Sequence, residues 1–118
     1  MSKSTITKFA QSVYDAVKLI PEGKISTYKL VAYAINKPNA SRAVETALSK
    51  NPFAPIVPCH RVLTSSFGIG GFYGDTDVES KNIKKKIKML KKEGITFDSA
   101  NNNLKKCPIY RKSVTYKF

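Results

Sequence analysis

The chain has 118 residues, with 21 Lys and Arg against 8 Asp and Glu for a net charge of +13; its 42% hydrophobic content is enough for one compact core, which excludes a disordered basic tail and a second full domain. No apolar run approaches the roughly 20 residues that span a bilayer, and the opening Met1 to Thr5 lacks a secretory apolar segment, so a membrane protein is excluded and an intracellular location is expected, cytoplasmic or, in a eukaryote, nuclear. Two cysteines, Cys59 and Cys107, make no disulfide framework, and the charge points to a polyanion, nucleic acid ahead of an anionic membrane surface.

Apolar residues recur at three- and four-residue steps through Ile6, Phe9, Ala10, Val13, Ala16, Val17 and Ile20, which predicts a helix with one buried face, stopped by Pro21-Glu22-Gly23. Ser26 or Thr27 caps a second short helix running to about Ile35, with Leu30, Val31, Ala34 and Ile35 on its inner face. Asn36-Lys37-Pro38-Asn39 is a turn, after which Ala40, Ala43, Val44, Ala47 and Leu48 form another apolar stripe with Arg42, Glu45, Thr46 and Ser49 outward or marginal. Two short helices across a tight turn in a basic chain predict a helix-turn-helix over about residues 26–50, the second helix facing DNA.

The prolines Pro52, Pro55 and Pro58 keep residues 51–63 extended or turned. Residues 65–74 form a Gly-rich loop. Helical spacing returns from 79 to 93 at Ile83, Ile87 and Leu90, with Lys in most other places as a solvated face. In the tail, 95–118, Ser113–Phe118 reads as a weak strand. The whole is expected to be a single domain, mainly α, winged-helix-like, with minor β structure.

Within the 51–63 segment stands Pro58-Cys59-His60-Arg61-Val62. His60 and Arg61 beside a thiol are suited to forming a reactive thiolate. The alternative is a structural cysteine, since a buried thiol behaves as a small hydrophobe and neighbours on an extended strand point to opposite sides. If the pair acts, it does so through a water or a turn, and a glutamate is the economical third group to orient the imidazole. Zinc is disfavoured: two Cys and one His without paired spacing make a poor tetrahedral set.

Pro58-Cys59-His60-Arg61-Val62, preceded by Asn51-Pro52 and by Ser41-Arg42-Ala43-Val44, resembles the active-site domain of the O6-alkylguanine-DNA alkyltransferases, the methylated-DNA–protein-cysteine methyltransferases, from about Phe9 to Gly94. The resemblance implies that Cys59 is the nucleophile, that His60 takes its proton through a water, and that Glu93 holds His60. It implies that Asn51 braces the turn after the recognition helix, that Tyr28 presses on the phosphate beside the target nucleotide, and that Arg42 enters the vacated base stack, with Ser41, Ala43 and Arg61 at the DNA surface. Val57, Pro58, Phe72 and Tyr73 would line the base pocket.

The implied reaction is irreversible alkyl transfer from O6-alkylguanine in double-stranded DNA, after base flipping through the minor groove, by a monomer with no metal or organic cofactor. Three features depart from the family. Full-length members carry a further N-terminal domain. Glu45 stands where Gly is usual, where its carboxylate opposes phosphate and can pair with Arg42 one turn back. Phe72 aligns with a tyrosine that helps hold the base. The related alkyltransferase-like proteins, which bind lesions without removing them and commonly carry Trp at the nucleophile position, are the nearest alternative, and a helix-turn-helix transcription regulator is a third.

Overall fold

The structure, a computed structural model, describes residues 6–52, 56–65, 68, 80–95, 97–98, 103–104 and 114–118. Phe72 and Tyr73, expected in the base pocket, and Cys107 lie outside the described residues. Among those described, four α-helices and two small sheets give the expected mainly helical fold: α1 Lys8–Val17, β1 Ser26–Thr27, α2 Tyr28–Ala34, α3 Ser41–Ser49, a 3-10 turn Cys59–Arg61, β2 Val62–Leu63, α4 Lys81–Lys92, β3 Phe97–Asp98 and β4 Asn103–Leu104.

Each of three helices begins at a hydroxyl that caps it. Thr7 accepts from the Ala10 amide at 3.0 Å, Thr27 from Leu30 at 3.1 Å and Ser80 from Ile83 at 3.2 Å, each satisfying an amide the first helical turn leaves without a partner. α1 ends at Val17, short of the expected Ile20. The chain instead tightens through Leu19 and Ile20, whose amides bond to the carbonyls of Ala16 and Val17.

The inner face of α2 is also rotated from its predicted phase. Tyr28, Val31 and Ala32 are buried while Leu30 is 37% exposed and Ala34 is exposed. The buried stripe follows the i, i+3, i+4 row that starts at Tyr28. On α3 the stripe narrows to Val44, Ala47 and Leu48, leaving Ala43 outward beside Arg42. Between these helices Asn36 adopts φ +61°, and the amides of Asn36 and Lys37 close onto Tyr33 and Ala32. This is the left-handed helix stop that asparagine tolerates better than most side chains.

The 51–63 segment is tied in by parallel pairing of β1 with β2, Ser26 opposite Val62 and Thr27 opposite Leu63. One residue earlier Ile25 bridges Thr115, and this bridge is what the described residues retain of the strand expected over Ser113–Phe118. β3 and β4 form a separate antiparallel pair, Phe97 opposite Leu104. Val13, Val17, Ile25, Val31, Val44, Val62, Leu63, Ile83 and Leu90 are completely buried and join α1, the residue before β1, α2, α3, β2 and α4 in one core.

α4 ends in a way that matters for the site. Glu93 is its C-cap, Gly94 follows at φ +88°, and the amides of Gly94 and Ile95 return to the carbonyls of Lys91 and Leu90. Both Leu90 and Ile95 are buried, completing the Schellman closure with its apolar clasp. A side chain at 94 meets no neighbour within 4 Å, so the cost of substitution there is conformational. Gly94→Ala is expected to lower stability in urea denaturation by about 1–2 kcal/mol, with Gly94→Asn losing less.

Candidate active site around Cys59

Asn51, two residues beyond α3, begins the path to Cys59. Its amide bonds back to Leu48, and its side-chain Nδ2 donates to the Val57 carbonyl at 2.9 Å. The same carbonyl accepts the Cys59 amide at 2.8 Å across Pro58, whose φ −81° and ψ 68° are those of an inverse γ-turn. Proline's ring already holds φ near that value, so the turn costs it little. The Arg61 amide then bonds to the Pro58 carbonyl at 2.9 Å, closing the 3-10 turn. The segment expected to be extended or turned is therefore turned at the thiol itself, and Cys59 and His60 share one buried curve, 5% and 4% exposed.

His60 Nε2 lies 2.9 Å from Glu93 Oε2. Arg61 grips the same carboxylate, Nε donating to Oε1 and Nη2 to Oε2, each at 2.9 Å, while Nη1 donates to the Ile20 carbonyl at 2.8 Å. Burial pushes the Glu93 carboxyl upward, but the hydrogen bonds from Arg61 and His60 outweigh it and hold it below its ordinary value. An ionised carboxylate only accepts, so Nε2 carries the imidazole proton and Nδ1 remains the ring's acceptor. Burial lowers His60 below its usual value against the pull of Glu93, which favours the neutral ring.

Burial raises the Cys59 thiol above its ordinary value, opposed by a hydrogen bond from the Asn51 side chain, by the charge of Lys86 and by the Cys59 backbone. Tyr14 of α1, which donates to the Ala47 carbonyl at 2.8 Å, is pushed up by burial and then by the negative charge of Cys59.

The sequence-predicted residues thus divide into two groups. Asn51, Val57, Pro58, Cys59, His60, Arg61 and Glu93 come together, with Val57 and Pro58 buried in the turn. Arg61, expected at the DNA surface, turns inward onto Glu93 and Ile20. Arg42 and Ala43 are exposed and Ser41 half-buried on α3, away from that cluster's hydrogen bonds, and Tyr28 is 6% exposed at the start of α2. No ion pair joins Arg42 to Glu45 among the described residues. Sequence reading placed Lys86 on a solvated lysine face; Lys81, Lys84, Lys85, Lys88, Lys91 and Lys92 are indeed exposed, but Lys86 is completely buried. The signal was its place in the stripe Ile83, Lys86, Leu90, Glu93, at three- and four-residue steps.

Residues 8–95 match the domain family described as 6-O-methylguanine DNA methyltransferase, DNA binding domain. The chain belongs to this family. It is 42% identical over 78 residues to a methylated-DNA–protein-cysteine methyltransferase of Methanosarcina acetivorans, covering 66% of this chain and 50% of that one. The corresponding protein of Sulfolobus acidocaldarius is 38% identical over 94 residues, covering 80% and 54%. The chain spans about half the length of these curated relatives. Among solved structures, Mycobacterium tuberculosis OGT in complex with DNA aligns with a TM-score of 0.65 at 38% identity, over 74% of this chain and 50% of that one. S. pombe Atl1, bound to damaged DNA containing O6-carboxymethylguanine, aligns with a TM-score of 0.74 at 27% identity over 100% of both chains. No described helix of the present chain is long and apolar enough to cross a membrane.

The His60–Glu93 pair makes stability depend on acid in two stages. The unfolded chain binds a proton on His60 more readily than the folded one, so stability falls as pH drops below the ordinary imidazole value of 6.5. The contribution of Glu93 is present above the ordinary carboxylate value of 4.5 and disappears as pH falls through its lower folded value. In thermal melts from pH 8 to pH 3, His60→Gln is expected to flatten the upper part of this decline. Glu93→Gln is expected to cost about 1.5–3 kcal/mol at pH 7 through its charged hydrogen bonds, with the difference from wild type shrinking below pH 4.5.

Proposed function

We propose that the chain is the active-site domain of a DNA alkyltransferase and repairs O6-alkylguanine in double-stranded DNA by one irreversible transfer to Cys59. The observation that carries this reading is the turn that buries the thiol beside His60, with Glu93 hydrogen-bonded to the imidazole at 2.9 Å. The family membership and the relatives named as methyltransferases support it.

The alkyl group on guanine O6 lies within the duplex, so the base must leave the stack before sulfur can reach it. Exposed Arg42 on α3 fills the space left behind, since a guanidinium both stacks on bases and donates hydrogen bonds. Tyr28, at the start of α2, works from the neighbouring phosphate. α3 lies in the minor groove, where the base-edge code is degenerate, which suits a protein that must find lesions in any sequence.

Nδ1 of His60 accepts the thiol proton through a water, and Glu93 stabilises the imidazolium that forms. Cys59 sulfur displaces guanine at the alkyl carbon: the S–C bond forms, the C–O6 bond breaks, and guanine leaves with the bonding electrons, taking up a proton. The thioether has no ready leaving group, so each molecule acts once. The reaction requires no metal or organic cofactor.

The match to S. pombe Atl1 over the full length of both chains favours a second reading, lesion binding without transfer; retention of Cys59 favours transfer. Incubation with O6-methylguanine DNA is expected to add one methyl group to Cys59 by mass spectrometry. Cys59→Ala should abolish transfer and keep lesion binding. Binding without methylation of the intact protein would select the second reading, and a methyl on Cys107 would overturn the first.

Arg42→Ala should slow repair of duplex DNA far more than reaction with free O6-benzylguanine, because only the duplex reaction needs extrusion; equal losses would remove Arg42 from the flipping step. Affinity for undamaged duplex should show little sequence preference and fall steeply as salt rises, as expected for a net charge of +13.

A further inference from the structure

α4 reads Lys-Asn-Ile-Lys-Lys-Lys-Ile-Lys-Met-Leu-Lys-Lys, with no acidic residue between Lys81 and Lys92. Its inner row is committed to the fold. Ile83 and Leu90 are completely buried, Lys86 donates to the Val62 carbonyl, and Glu93 at the C-cap meets His60 and Arg61. Ile87 and Met89 pack against the same core, whereas Lys81, Lys84, Lys85, Lys88, Lys91 and Lys92 are exposed.

At about 100° per residue, the six exposed lysines fall within an arc of roughly 120° centred opposite the inner row. Lys81, Lys85, Lys88 and Lys92 form its midline, and no ion pair engages them among the described residues. Like charges at three- and four-residue steps destabilise a helix, so the grouping works against folding, and a bound polyanion would reverse that effect. The row extends about 16 Å, a length over which one strand of a duplex presents about five phosphates. An anionic membrane is the poorer match, because an interfacial helix inserts an apolar face and α4 commits all of its apolar side chains to the core.

We propose that the outer face of α4 is a second DNA-contacting surface, separate from α3, which takes the phosphate backbone of double-stranded DNA without reading its sequence. The inner row faces the thiol turn, so the lysines point away from Cys59 and hold DNA without taking part in the transfer. The proposal rests on the alkyl-transfer reading only in taking DNA as the polyanion, and binding to undamaged duplex is measurable without any transfer.

The test is the affinity of the full chain for undamaged duplex, by fluorescence anisotropy between about 50 and 200 mM salt. A triple variant, Lys81→Gln, Lys85→Gln and Lys88→Gln, should lower the slope of log affinity against log salt by about 0.9 for each lysine on a phosphate, and so by up to about 2.7. Lys8→Gln, Lys18→Gln and Lys117→Gln together remove the same charge from exposed lysines outside α4 and should lower it less. The fall due to the α4 variant should persist in an Arg42→Ala background, because the two faces meet DNA separately. Reaction with free O6-benzylguanine should be unchanged, and thermal melts should show the α4 variant at least as stable as wild type.

A fall in slope below about 0.9, or an equal fall in the Lys8, Lys18 and Lys117 variant, would overturn the assignment, the second by reducing it to net charge. Binding to phosphatidylserine vesicles that needs the α4 lysines, with the duplex slope unmoved, would give the face to a membrane instead. Loss of the effect in the Arg42→Ala background would merge the two surfaces into one and also overturn it. A chain with the expected slopes that takes no alkyl group from DNA would sink the transfer reading and leave the second surface standing.

Discussion

Arg61 and His60 both donate to the Glu93 carboxylate, and through that one anion α4 is fixed to the turn that carries Cys59. The remaining Arg61 nitrogen on the Ile20 carbonyl extends the hold to the end of the α1 region. Removing the carboxylate would leave a part-buried guanidinium and an unoriented imidazole, and leaving charged or polar groups unpaired costs more than the net value of the bonds lost.

The geometry of that anion depends in turn on how α4 stops. Glu93 occupies the C-cap because Gly94 takes a left-handed conformation and Ile95 drops back into the core over Leu90. At the other side of the site, Asn51 and Pro58 shape the path from α3 to the thiol through a single shared carbonyl, that of Val57. A conformationally permissive glycine after α4 and a conformationally restricted proline before Cys59 thus bring His60 and Glu93 together across 33 positions of chain.

The outward face of α3 and the inward row of α4 divide the work of charge. Exposed lysines and Arg42 supply the diffuse positive field suited to a polyanion. Lys86, sharing the helix of six exposed lysines, is withdrawn into the core, where burial brings it down to about 7 and its Nζ donates to the Val62 carbonyl. The difference between a solvated lysine and one buried against the Val62 carbonyl is a rotation of about one position around a helix.

Local sequence determined a good deal of this protein. Thr7, Thr27 and Ser80 are helix starts because a hydroxyl satisfies a free amide; Asn36 and Gly94 are stops because they accept left-handed backbone; Pro58 is a turn because its ring permits little else. Apolar periodicity located α1, α3 and α4, and the Pro-Cys-His-Arg-Val run marked the thiol segment before any contact was known. The phase of α2, the inward turn of Arg61 and the burial of Lys86 were decided only by tertiary structure. Each depends on which partner lies across the core, Glu93 and Ile20 for Arg61 and the Val62 carbonyl for Lys86, partners 24 to 41 residues away in the chain. Periodicity can say that a lysine falls on an apolar stripe. Whether burying it is tolerable depends on an acceptor, and that comes from β2 only once the chain has folded.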